Sequence, residues 1–240
     1  MDAFDGRGGL RELIRRNRAK TAATAHAAGH GGRATSADRA AHAARAALCE
    51  LCAAPLPDGH RHLLDREERV PRCACAPCAV LFDRAPASGD RYALIPDRRW
   101  LLRDFTLDDE AWAALAVPVG MLFAYRDSAA GRVVARYPSP AGAVEAALEP
   151  DVWAALERAN PVLRDLTPDV EALLVDRRDA TRDHLLVPID DCHRLTALLR
   201  TRWKGLAGGP QVWAALSEFF ADLRGRAKSV PARPLKGASA

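Results

Sequence analysis

Large apolar side chains are sparse over the first 48 positions, where Phe4, Leu10, Leu13, Ile14 and Leu48 stand among alanine, arginine and glycine. Such a stretch buries too little surface to offset its ordering entropy, so residues 1–48 read as a mobile basic arm. A helix over 10–28 is allowed by propensity, but its apolar face is too thin to dock strongly. From Tyr92 onward apolar runs and alternations take over. Residues 92–95, 117–125, 133–137, 170–175 and 184–189 predict strands, and residues 107–115, 143–149, 151–158, 190–203 and 210–227 predict helices.

The turn chemistry joins these pieces. Thr106 and Asp190 or Asp191 suit helix N-caps, and Pro210 suits a first helical turn. Polar turns at 127–131 and 176–182 predict two hairpins, and Pro138 and Pro140 should end the strand that precedes them. The fold class is therefore α+β, a small zinc-ribbon-like cysteine module followed by a mainly antiparallel sheet packed with helices. The division is an arm at 1–48, a cysteine module at 49–83, an α+β domain at 92–228 and a disordered tail at 229–240. Trp-Ala-Ala-Leu recurs at Trp112, Trp153 and Trp213, but the unequal intervals argue for similar core-facing helix turns and against a repeat array.

Composition adds constraints. At 240 residues with 49% hydrophobic and 28% charged positions the chain has the balance of a soluble globular protein. No apolar run reaches the roughly 18 residues of a membrane span. Arg15 and Arg16 precede an alanine-rich stretch containing Lys20, His26 and His30, which is no apolar export core. A cytoplasmic location follows as the expectation, and in a reducing compartment clustered cysteines point to metal before disulfides. The net charge of +4 belongs to the ends: residues 1–48 hold nine Lys/Arg against four Asp/Glu, and residues 203–240 hold six against two. The middle is mildly acidic, so it lacks the basic stripe expected of a nucleic-acid surface.

The strongest chemical signal is Cys49-Glu-Leu-Cys52, then twenty residues, then Cys73-Ala-Cys75-Ala-Pro-Cys78. Two residues between cysteines let a tight turn aim both sulfurs at one point, and two such turns supply the tetrahedral four-thiolate shell that zinc favours. Cys49, Cys52, Cys75 and Cys78 are the expected ligands, with a small hairpin joining the turns. Cys73 competes for a place in the shell, or packs beside it and donates to a bound sulfur. His60 and His62, in the connecting segment, can replace a thiolate, but with enough cysteines present they read as exposed polar residues. Iron in a rubredoxin-like site is the alternative cofactor. Ala53 and Ala79 stand where glycine would favour it, and few aromatics are available to enclose it, so zinc leads.

No other cluster fixes a reaction. Cys192 and His193 are neighbours on a predicted helix and point about 100° apart. Asp190, Asp191, His184 and His193 can line a pocket, but their spacing specifies no chemistry. No phosphate loop, dinucleotide fingerprint or serine elbow occurs. The expectation is a protein that is not an enzyme.

Several motifs resemble an uncharacterised actinobacterial family: Cys-Glu-Leu-Cys, His-Arg-His-Leu-Leu-Asp from His60, Cys-Ala-Cys-Ala-Pro-Cys with Leu81-Phe82, Val117-Pro-Val-Gly120, Asn160-Pro-Val-Leu163, and Arg200-Thr-Arg-Trp-Lys-Gly205. The likeness covers about residues 48–228. Genes of that family tend to lie beside those for high-affinity NiFe-hydrogenases. The resemblance implies a zinc-dependent accessory or interaction role with a hydrogenase subunit or maturation factor as partner, and carries no catalytic residues. A rubredoxin-like electron carrier is the runner-up, and a nucleic-acid-binding zinc ribbon is third, weakened by four arginines against six acids over 49–83.

Overall fold

Hydrophobic alternation disappears along the central strands because both faces of the main sheet are covered. The computed structural model describes residues 48–83, 89–115, 117–178, 182–205 and 208–232, so the expected arm lies outside the described residues except for Leu48. The chain divides into units at 1–46 and 47–240, and every described residue belongs to the second. In its main sheet, β8 (Glu171–Asp176) and β9 (Asp183–Pro188) form a hairpin buried at every position. They lie beside β4 (Trp100–Arg103) and β5 (Met121–Asp127). With β6 (Arg132–Ser139), β7 (Gly142–Ala146) and β10 (Lys228–Pro231) the order is β10-β4-β9-β8-β5-β6-β7. All neighbours pair antiparallel except β10 with β4.

Successive side chains point to opposite faces. Phe123, Leu174, Leu185 and Val187 pack one face against α4 (Ile189–Arg202) and α5 (Pro210–Arg226). Leu122, Leu173, Val175 and Leu186 pack the other against α3 (Pro150–Ala159) and the 3-10 turn Pro161–Asp165, with Trp153 and Leu163 buried there. Each fully buried leucine contributes about 1.5–3 kcal/mol, so the two layers hold the sheet firmly.

The smaller sheet has the order β2-β1-β3, formed by β1 (Arg61–Asp65), β2 (Val70–Ala74) and β3 (Tyr92–Leu94). It is the hairpin anticipated between the cysteine turns, extended by a strand assigned from sequence to the following domain. Leu64 and Ala93 enter the core of the main sheet, whereas Leu63 faces a small core with Cys49 and Cys78. The two parts are thereby stitched together.

Several expectations change. Residues 143–149 were expected to be helical, but 142–146 form β7; pairing along β6 overrides their helix propensity. Pro138 does not end β6. The ladder to β5 stops at Arg136, so Pro138 needs a partner on one side only, and it pairs with Ala143. The strand expected from 117 begins at Met121. A Cβ at Gly120 would sit 2.9 Å from the Arg178 backbone, and the Gly120 carbonyl accepts the Arg177 N–H at 2.7 Å, so this residue is a close crossing and not a strand position. The cap of α2 (Asp109–Ala114) is Asp108, not Thr106. Pro188 precedes α4, which leaves Asp190 and Asp191 in its first turn. Residues 229–231, expected to be disordered, belong to β10, and Ala232 is buried. Trp153 is buried, but Trp213 is 42% exposed and stands edge-on to Trp203, so the shared tetrapeptide does not have one environment.

Candidate metal centre

Two backbone reversals aim the four sulfurs. In the first, the Cys49 N–H donates to the Ala54 carbonyl and the Ala53 N–H donates back to the Cys49 carbonyl, each at 2.8 Å. Ala53 has φ 61°, a left-handed conformation that costs a residue with a side chain about 1–2 kcal/mol, which is why glycine suits this place. In the second, Cys75 is extended and opens α1 (Ala76–Phe82), Pro77 sits in the first turn, and the Ala79 N–H donates to the Cys75 carbonyl at 2.8 Å. The Glu50 N–H donates to the Cys73 carbonyl at 2.9 Å, fastening the first turn to β2.

The result brings Cys49, Cys52, Cys75 and Cys78 within 4.8 Å of one another. The Cys52 and Cys75 sulfurs are 3.6 Å apart. Tetrahedral zinc with Zn–S bonds of about 2.3 Å sets its sulfurs roughly 3.8 Å apart, so this donor set fits a four-thiolate ion. Cys49 and Cys78 are buried and Cys52 is exposed.

Electrostatics favour a cation here. Burial works to raise the Cys49 thiol, but backbone N–H groups of Cys75, Leu51 and Cys52 and the Cys52 thiol outweigh it and bring the pKa to about 6. Burial and the neighbouring sulfurs push Cys78 up, and Cys52 is raised as well. Cys49 is thus held toward its thiolate form while Cys52 and Cys78 are held toward the thiol, and a bound cation would favour the thiolate of each ligand.

Cys73 is not in this group. Strand alternation turns it to the other face of the hairpin, where it meets His60 and His62. The two histidines are half-buried, not exposed as expected, with their rings edge-on at 4.9 Å.

The other sequence candidates go to separate places. The Asp190 carboxylate lies 3.0 Å from His62 Nδ1, while Asp191 is fully buried and accepts from Arg99 and Arg194 at 2.6 and 3.1 Å. Cys192 is fully buried, and burial raises its thiol well above the ordinary range, which suits an inert core residue. His193 faces a cavity of about 330 Å³ whose lining includes Arg69, Arg136 and Arg200. His184 is buried and stacks on Phe105 at 4.6 Å. They do not share one pocket.

Burial, then the charges of Arg177 and Arg182, lower the His184 pKa from 6.5 to about 4. The folded state holds this ring neutral while the unfolded chain takes up a proton below about 6.5, so its stability contribution is lost as pH falls from 6.5 to 4. The loss is on the order of 3 kcal/mol. Unfolding measured across that range should show about one proton fewer taken up on unfolding in His184→Gln than in the parent. Equal pH slopes would contradict the assignment.

Sequence reasoning assigned no role to Asp65, a fully buried carboxylate paired with Arg91 at 2.8 Å, and did not anticipate the exposure of Val80 and Leu81 on α1. Asp65 had only its place in an apolar strand as a signal. The run 79–82 reads as buried until the helix is known. Among the described residues no helix is long and apolar enough to cross a membrane. Comparison with curated proteins and with solved structures gives no match. Over residues 48–227, which take in both cysteine turns, the smaller sheet and every strand of the main sheet but β10, the chain belongs to a family of unknown function, DUF5947.

Proposed function

We propose that this chain is a non-catalytic zinc-binding interaction protein that docks on a subunit or maturation factor of a NiFe-hydrogenase. One observation carries the docking part: Val80 and Leu81 are 61% and 55% exposed on α1, the short helix that starts at the cysteine cluster. Two neighbouring apolar side chains exposed on one short helix support its reading as a contact surface. A four-thiolate ion has no open position for substrate, and zinc has no redox chemistry, so the ion's work would be to hold α1 in place. The hydrogenase partner rests on the sequence motifs and their resemblance.

The test uses the double variant Val80→Asp, Leu81→Asp in native cells. It should keep its metal and its thermal transition and lose co-purification of hydrogenase components. Recovery of those components at the parental level, or normal hydrogenase activity in a strain lacking the protein, would overturn the reading. The exposed Cys52 favours one other reading, an iron electron carrier with a sulfur at the surface. Visible absorption that bleaches on reduction would put iron in place of zinc.

A further inference from the structure

A second donor set lies on the opposite face of the cysteine hairpin. The β1–β2 register places His62 directly across from Cys73. His60, the residue just before β1, has its ring edge-on to that of His62 at 4.9 Å. Leu64, next on that face, enters the main core, whereas Leu63 on the other face meets the small core containing Cys49 and Cys78. The ligand atoms of His60, His62 and Cys73 lie within 4.8 Å of one another.

Both rings are already oriented. His62 Nδ1 is 3.0 Å from the Asp190 carboxylate, and His60 Nδ1 is 3.1 Å from the Pro57 carbonyl. Each acceptor takes a proton on Nδ1, which leaves the Nε2 lone pair of each ring available. His60 Nε2 is buried without a hydrogen-bond partner. A buried unsatisfied ring nitrogen costs about 1–3 kcal/mol unless something occupies it. Metal-ligating histidines characteristically hold their other ring nitrogen on a carboxylate or a carbonyl, and both forms occur here side by side.

We propose that His60, His62 and Cys73 bind a second divalent ion of the zinc class through two Nε2 atoms and one thiolate, with a fourth position open. Binding releases the Cys73 thiol proton to solvent. Bonds of about 2.0–2.3 Å set nitrogen and sulfur roughly 3.5 Å apart, a spacing inside the 4.8 Å within which these residues' ligand atoms lie. Two imidazoles, one thiolate and a vacant position distinguish this site from the closed cysteine site: its ion can carry water or an anionic donor from a partner. Asp190 belongs to α4, so the ion would also tie the hairpin to the main sheet's helical layer. The assignment stands independently of the docking reading.

The experiment titrates metal-free full-length chain with Zn2+ and counts bound ions by native mass spectrometry. The parent should bind two. His62→Ala and Cys73→Ser should bind one, and Cys52→Ser should lose the other ion and keep this one. Asp190→Asn should still bind two, with the second weakened 10–100-fold. The imidazole nitrogen resonances of His60 and His62 in the unmodified chain should shift as the second equivalent is added, a readout that needs no folded variant. Saturation of the parent at one ion, an unchanged second equivalent in Cys73→Ser, or unshifted imidazole resonances at two equivalents would overturn the assignment.

Discussion

Chelation of the ion proposed at the four cysteines is expected to melt the cysteine turns and α1 while leaving the seven-stranded sheet folded. The small core around the site has six buried members, Cys49, Leu56, Leu63, Ala74, Cys78 and Ala79, and two of them are ligands. So few apolar side chains cannot hold the turns alone, whereas comparable zinc peptides gain on the order of 10–16 kcal/mol from their ion. The loss should stop at the β1–β2 hairpin, because Leu64 is anchored in the main core and β1 pairs with both β2 and β3. Hydrogen exchange after chelation should therefore release the amides of Glu50, Ala53 and Ala79 and leave those of Leu173 and Leu186 protected. Disappearance of the whole cooperative thermal transition would show instead that both sheets share one unit of unfolding.

Asp65→Ala should be strongly destabilising, at about 1–3 kcal/mol in urea unfolding. The carboxylate has no exposed surface. It accepts from Arg91 at 2.8 Å and from the backbone N–H groups of Glu67 and Glu68 at 3.2 and 3.3 Å, closing the β1–β2 turn. Removing it leaves those donors without their acceptor next to an apolar core. The Arg91 hydrogen bond, against the opposing effect of burial, lowers the Asp65 pKa. Its stabilisation is therefore present above the ordinary carboxylate range and is lost as pH falls below it. A loss under 1 kcal/mol would mean that the pair is screened like a surface salt bridge.

Much of the fold was legible in the sequence wherever local pattern and tertiary role agreed. The runs around Leu173 and Leu186 are strands because burial on both faces demands continuous apolar residues, and the polar turn between them makes their pairing local. The prolines opening α3 and α5 mark helix starts for reasons internal to the helix. The parts missed depend on partners far along the chain. β4 and β10 are four residues each and pair in parallel across more than a hundred positions, and β7 becomes a strand only because β6 offers an edge. The same holds for the candidate site. The spacing of Cys49 and Cys52, and of Cys75 and Cys78, is a local statement about turns, and the structure brings these four together. The place of Cys73 depends on hairpin register, which decides the face it occupies, and no local pattern announces that His62 meets Asp190, 128 positions away.

The central claim is that four cysteine thiolates hold a metal ion that fixes α1. Its most direct test is metal content, by elemental analysis, of protein purified without tags or added metal, for the parent and for Cys52→Ser in parallel. The account predicts tightly bound, colourless zinc in the parent and one equivalent less per chain in Cys52→Ser. Equal zinc in the two proteins would contradict it.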